Sequence, residues 1–218
     1  METIKQTKYL AFVNTNQSEI KKIKAVILFL LFLPISLFGQ NIDFRILHSI
    51  NSSQILPSDG FYRFISNSDT YVITGVPVTM AIIGLTDGDN KLLRNAGIVA
   101  TGTIINFGIT TGLKYLFKRK RPFTTYPGII VNKSGSPCPD PSFPSGHTST
   151  SFMLATSLSL QYPKWYVIVP SFVYAGTVAY SRMDLGVHYP SDVLAGTIIG
   201  GGTAYITYEI NRKIKWKQ

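Results

Sequence analysis

The 218 residues and 24.1 kDa suit one domain with at most a small appendage. Hydrophobic residues make up 45% and charged residues only 15%, with a mean hydropathy of +0.17; this excludes disorder as the main state and points towards a membrane. The single cysteine, Cys138, excludes an intrachain disulfide framework and a Cys-rich zinc site, and three histidines, His48, His147 and His188, leave little room for a His-built one.

The balance of 21 Lys and Arg against 11 Asp and Glu gives a net charge of +10, which favours anionic partners. Position separates the candidates. Lys5, Lys8, Lys21, Lys22 and Lys24 precede the first apolar run, and Arg212, Lys213, Lys215 and Lys217 close the chain. Both clusters flank apolar segments, as positive-inside anchoring does, so lipid and phosphate are expected and nucleic acid is not.

Ala25 to Phe38 is an apolar run after lysines, with Gly39 where a peptidase could cut. Its 14 residues are short for a span of about 20. Residues 1–39 are therefore expected to be a signal peptide or an N-terminal anchor, and residues 40–218 the working domain. Residues Asn41 to Asp69 read as one or two short amphipathic helices, broken at Pro57-Ser58-Asp59-Gly60. Five charge-free windows follow: Tyr71–Thr86, Asn95–Leu113, Thr148–Pro163, Trp165–Ser181 and Val193–Tyr208. All are expected to be helices, with small residues suited to close packing in a membrane. Buried helices of a soluble bundle would give the same pattern. If the N-terminal lysines are cytoplasmic, the windows cross alternately. Asp87–Arg94 and Pro163-Lys164 then turn inside, and both basic ends lie in the cytoplasm. Tyr162, Trp165, Tyr166, Tyr205, Tyr208 and Trp216 sit near window ends, as an interfacial belt would.

Three segments fall together on the other, outer side. In the first, Lys114 and Arg121 are seven apart, two helical turns, and can share one face. In the second, Pro144-Ser145-Gly146-His147 opens an apolar helix whose free N–H groups suit an anion, with Gly146 permitting close approach. In the third, Ser181-Arg182 is followed by His188 and, four residues on, Asp192. A carboxylate one turn from an imidazole can fix its tautomer and leave the other nitrogen as a nucleophile. Arg182 could grip two phosphate oxygens. Taken singly, each feature also fits an ordinary helix end, cap or structural histidine. Together, cations and N–H donors suit a tetrahedral oxyanion, and two histidines suit a nucleophile and an acid.

Lys, six residues, Arg-Pro; Pro-Ser-Gly-His; and Ser-Arg, five residues, His, three residues, Asp occur here in order. In these segments the chain resembles the type 2 phosphatidic acid phosphatase superfamily. The resemblance implies an all-α helical bundle of the kind shared with vanadium haloperoxidases, with five to six membrane-spanning or membrane-embedded helices. It implies a metal-independent phosphatase. His188 would attack phosphorus, Asp192 would orient His188, and His147 would protonate the leaving group and then activate water. Lys114, Arg121, Ser145, Gly146 and Arg182 would hold the phosphate oxygens. No metal or cofactor is expected, and vanadate is expected to inhibit. The expected partner is a phosphorylated lipid: phosphatidic acid, phosphatidylglycerophosphate, undecaprenyl pyrophosphate or a lipid A phosphate. The expected place is a bacterial inner membrane, with the site facing the periplasm. A soluble periplasmic acid phosphatase of the same superfamily, haloperoxidase chemistry and a non-enzymatic lipid-binding protein are the other readings. Lys118, Arg119 and Lys120 lie outside the signature and read as headgroup contacts. The loop Phe123–Phe143 is expected to rim the site. Asp140 and Asp184 carry no assigned role, His48 reads as structural and Cys138 as inert.

Overall fold

The structure, a computed structural model, describes residues 40–51 and 56–213. The expected signal peptide or anchor, residues 1–39, lies outside the described residues, as do Lys215, Trp216 and Lys217. The helices are α1 (Gln40–Ile50), α2 (Ser58–Thr86), α3 (Asn90–Phe117), the single turn α4 (Pro122–Thr125), α5 (Gly146–Gln161), α6 (Trp165–Asp184) and α7 (Pro190–Lys213). No strand occurs among the described residues. All five apolar windows are helical, and each lies largely within one of these helices.

One expectation changes. The break at Pro57 is real, since Pro57 is the N-cap of α2. Beyond it the chain does not form a separate short helix but runs unbroken for 29 residues. Two polar residues of this stretch, Ser66 and Asp69, are buried and partnered. Ser66 receives Arg182, and Asp69 accepts from Thr150 Oγ1 at 2.8 Å and Ser151 Oγ at 2.6 Å.

Local chemistry sets the reversals. Gly88 at φ +69° turns the chain after α2, and Asp89 starts α3 by accepting from the backbone N–H of Lys91 and Leu92 at 2.9 and 3.0 Å. Lys118 ends α3 in the left-handed conformation, φ 46°. Pro190 opens α7 at a position where its missing N–H costs nothing.

Helix α5 lies at the centre, against α7, α6, α3 and α2. Its backbone almost touches that of α7. A Cβ on Gly196 would stand 2.7 Å from the Ser145 carbonyl oxygen, and one on Gly200 only 2.1 Å from that of Ser149. This small-xxx-small pair is the membrane-type device for bringing two helix backbones together. Ile73, Val99, Met153, Leu154 and Ala204 form the adjoining core. At one end of the bundle, Tyr162 receives Asn95 at 3.0 Å and Arg94 donates to Asn211 at 2.8 Å. The opposite end gathers the end of α3 and the starts of α5 and α7, and there the three signature segments meet.

The outer surface is apolar. Ile104 is 73% and Phe107 66% exposed. Ser58–Thr86 and Asn90–Thr125 are long and apolar enough to cross a membrane, and only 22% and 33% of their most apolar stretches are buried. A core helix of a water-soluble bundle would hide that face. The chain therefore has the surface of a membrane protein. Trp165, Tyr166 and Tyr205 are exposed as a belt requires, whereas Tyr162 is tied to Asn95.

Candidate active site

The end of α3 brings Lys114 to the site, but Arg121 arrives by another route than the one expected. Helix α3 stops at Phe117, so the two cations do not share a helical face. The left-handed turn at Lys118 folds the chain back and places Arg121 at the N-cap of α4. They still converge, on a residue without a sequence assignment. Asp140 Oδ2 lies 2.9 Å from Lys114 Nζ and 3.2 Å from Arg121 Nη2. Lys114 also reaches the carbonyl of Pro141, and Arg121 Nε that of Asp140 at 2.9 Å. The loop therefore does rim this cation pair. Asp140 is partly buried, which favours its neutral form, but the Lys114 ammonium bonded to it and the Arg121 charge beside it hold its pKa at about 2.

Arg121 links this pair to His188. Its Nη1 donates to the carbonyl of Val187 at 2.9 Å and lies 3.3 Å from His188 Nε2. A guanidinium has no acceptor, so Nε2 presents its lone pair and the ring proton sits on Nδ1. Burial pushes the His188 pKa well below its usual value, and Arg121, Arg182, Lys114 and His147 push the same way. The imidazole is therefore a neutral base with its Nε2 lone pair turned towards the cations.

Asp192 faces Nδ1 from Oδ2 at 3.5 Å, longer than a good hydrogen bond. Nδ1 itself is buried without a hydrogen-bond partner among the described residues. The carboxylate spends its stronger contacts elsewhere. Oδ2 accepts from Ser142 Oγ and from the Tyr189 N–H at 2.9 Å, and Oδ1 accepts from Arg119 Nη1 at 2.7 Å. Arg119 is thus not a headgroup contact; its side chain is 26% exposed and engages two carboxylates. Lys118 and Lys120 are exposed, as expected.

Ser145 is the N-cap of α5, but its hydroxyl does not cap the helix. It pairs with Thr148 Oγ1 at 2.9 Å, while the Ser145 N–H donates to the carbonyl of Asp192 at 3.1 Å. This joins the second signature segment to the third. Among the described residues nothing stands within 4 Å of a Cβ built on Gly146, so they leave the helix start open above it. His147 follows on the first turn of α5, which Asp69 of α2 anchors through Thr150 and Ser151. Arg182 is buried. Its carbonyl receives the N–H groups of Val187 and His188 at 3.2 Å, and its Nη1 donates to Ser66. Its Nε is buried without a partner among the described residues.

The sequence reading missed Asp140, Arg119, Ser142, Ser66, Asp69 and Asp43. Only Arg119, two residues before Arg121, carried any signal, and its lysine neighbours masked it. Asp184 and Asp59 flank the buried Lys133, whose ammonium lies 3.3 Å from Asp59 Oδ1, and so pin the loop to the bundle. Exposed His48 stacks on Phe44 at 5.5 Å and belongs to no site.

Fold and site together define an all-helical protein that sets a neutral imidazole against a cluster of cations suited to a tetrahedral oxyanion. Residues 95–216 match the PAP2 superfamily. An undecaprenyl-diphosphatase of Sulfolobus acidocaldarius is 33% identical over 197 residues, 84% of this chain and 89% of that protein. A lipid A 4'-phosphatase of Bacteroides thetaiotaomicron is 40% identical over 72 residues, 33% of this chain and 32% of that one. Among solved structures, a transmembrane PAP2 type phosphatidylglycerolphosphate phosphatase from Bacillus subtilis superimposes with a TM-score of 0.69 at 22% identity. That match covers 88% of this chain and 98% of the other. The chain belongs to the PAP2 superfamily, as a phosphatase of that family.

Proposed function

We propose that the protein hydrolyses lipid phosphomonoesters or pyrophosphates through a phosphohistidine, at the periplasmic face of a bacterial inner membrane. The observation that carries this reading is the placement of His188 Nε2, 3.3 Å from Arg121, at one end of an apolar-faced bundle. In the first step the Nε2 lone pair forms a bond to phosphorus and the bond to the leaving oxygen breaks. His147 donates a proton to that oxygen, and Asp192 stabilises the charge left on the imidazole. In the second step His147 takes a proton from water, the water oxygen bonds to phosphorus and the N–P bond breaks. Lys114, Arg121, Arg182 and the start of α5 at Ser145 and Gly146 hold the phosphoryl oxygens and offset the charge that develops on them. The unpartnered Nε of Arg182 and the open helix start at Gly146 support these roles.

The lipid class is supported by the names of the relatives and by the exposed apolar belt. Arg212 and Lys213 close α7 at the end opposite the site, which supports a cytoplasmic C-terminus and an outward-facing site. Residues 1–39 then deliver or anchor the domain formed by 40–218. The test is phosphate release by the purified protein from phosphatidic acid, phosphatidylglycerophosphate, undecaprenyl pyrophosphate, a lipid A phosphate and a soluble phosphomonoester. At least one lipid should exceed the soluble ester in kcat/KM by about 100-fold or more, the order of several buried methylenes. Preference for the soluble ester would overturn the lipid assignment.

Vanadate should inhibit by taking the oxyanion position. Asp140 competes there for Lys114 and Arg121, and at about 2 its pKa keeps it charged throughout the working range. Asp140→Asn should therefore lower the inhibition constant for vanadate about 3- to 10-fold, the order of one partly exposed ion pair. A raised constant would show that Asp140 organises the cations instead of competing for them.

A further inference from the structure

We propose that Arg119, held by Asp43 of α1, is a positioning residue of the reaction: it fixes the Asp192 carboxylate behind His188 and makes α1 part of the catalytic apparatus. This rests on the reading of His188 as nucleophile and Asp192 as its partner.

The contacts form a closed set. Arg119 Nη1 donates to Asp192 Oδ1 at 2.7 Å and Nη2 to Asp43 Oδ2 at 2.8 Å. Ser191, next to Asp192 in the chain, donates its N–H to Asp43 Oδ1 at 2.9 Å and its hydroxyl to Asp43 Oδ2 at 2.5 Å. The guanidinium carbon lies 3.9 Å over the ring of Tyr189, the residue that follows His188. Arg119 therefore grips the chain directly after the imidazole, at Tyr189 and at Asp192. Asp192 is fully buried, and a carboxylate so enclosed needs a cation at hydrogen-bond distance to stay charged. His188 and the more distant Lys114 also face it, but among the described residues only Arg119 forms an ion pair with it at hydrogen-bond distance. With Oδ1 held by Arg119, the carboxylate can rotate little, and Oδ2 stays turned towards Nδ1. Asp43 is 5% exposed and sits on α1 one position before Phe44, whose ring packs 4.3 Å from Tyr126. The clamp is thus anchored in packed structure and not on a mobile surface.

A headgroup-binding arginine would affect substrate affinity, whereas a positioning residue affects the chemical step. The experiment compares the full-length wild type with Arg119→Gln, Arg119→Lys, Asp43→Asn, Asp192→Asn and the Arg119→Gln/Asp192→Asn double variant. The readouts are kcat and KM on phosphatidic acid in detergent, and the melting temperature. Arg119→Gln should lower kcat about 10- to 100-fold with KM within about twofold, as expected for a lost charged hydrogen bond. Arg119→Lys should recover part of that loss, and Asp43→Asn should lower kcat in the same sense by less. In the Asp192→Asn background, Arg119→Gln should add less than about twofold, because the two act through one contact. The proposal is overturned if Arg119→Gln changes only KM, leaves kcat unchanged, or adds its full effect to that of Asp192→Asn. If Arg119→Gln fails to fold, Asp43→Asn and Arg119→Lys decide, and wild-type kcat in both overturns it. An inactive Asp192→Asn beside a fully active Arg119→Gln removes the proposal alone; a fully active Asp192→Asn removes the parent reading and the proposal with it.

Discussion

Alanine in place of His188 should abolish phosphate release while the protein still folds. The imidazole is 2% exposed, with Nε2 towards Arg121 and Nδ1 towards Asp192. Its loss removes the atom that accepts the phosphoryl group, and no other described imidazole in the site is backed by a carboxylate at Nδ1. Loss of a covalent nucleophile from a comparable machinery lowers kcat by about 10⁴ to 10⁶. The stability cost is that of a buried side chain with no strong hydrogen bond, about 1 to 3 kcal/mol. The check is kcat beside the melting temperature of the purified variant; near-normal turnover would refute the assignment. The same geometry fixes a pH dependence. Because burial and four neighbouring groups hold the His188 pKa well below 6.5, the ring stays neutral on mild acidification. Any acid limb in kcat/KM due to His188 should therefore lie well below pH 6.5. The sign for stability agrees: the unfolded imidazole binds its proton first as pH falls, so His188 lowers stability below about pH 6.5.

The largest effect on folding should come from Gly200→Ala. The new methyl would stand 2.1 Å from the Ser149 carbonyl oxygen and 2.9 Å from the Met153 nitrogen. Both are backbone atoms in the middle of α5, and neither can rotate away. Relief requires α5 and α7 to separate, which opens the core at Met153 and Ala204. The cost should reach about 3 kcal/mol, the upper part of the overpacking range. Activity should fall with it, because α5 carries Ser145, Gly146 and His147 while α7 carries Asp192. Gly97→Ala is the control. It also lies within a helix, but among the described residues nothing stands within 4 Å of the added atom, and helix propensity makes it neutral to about 1 kcal/mol stabilising. Melting curves of the two variants in the same detergent decide the matter. Equal melting temperatures would mean that α5 and α7 do not touch as described.

Much of this was legible before the fold. The apolar windows located five helices because a long uncharged run has few other options in a chain of this composition. The signature residues could be gathered because each stood at the end of a window, and alternating helices bring alternate ends together. Contacts made across the bundle could not be read. Lys114 and Arg121 looked like one helical face because seven residues make two turns; the left-handed Lys118 breaks that helix and delivers Arg121 from another direction. Asp192 looked like a hydrogen-bond partner of His188, yet it stands 3.5 Å away, because Ser142 and Arg119 hold it from segments remote in sequence. Asp140 and Asp43 were silent for a similar reason: a single acid in a loop or a short helix has no period, and its charge acquires a role only from the cation that folding brings to it.

The most direct test of the central claim is to quench turnover of a labelled phosphorylated lipid and locate phosphorus on the denatured chain by mass spectrometry. The account predicts an acid-labile, base-stable phosphoramidate on His188, absent from His188→Ala. Phosphorus on any other residue, or turnover with none on His188 at any quench time, would contradict it.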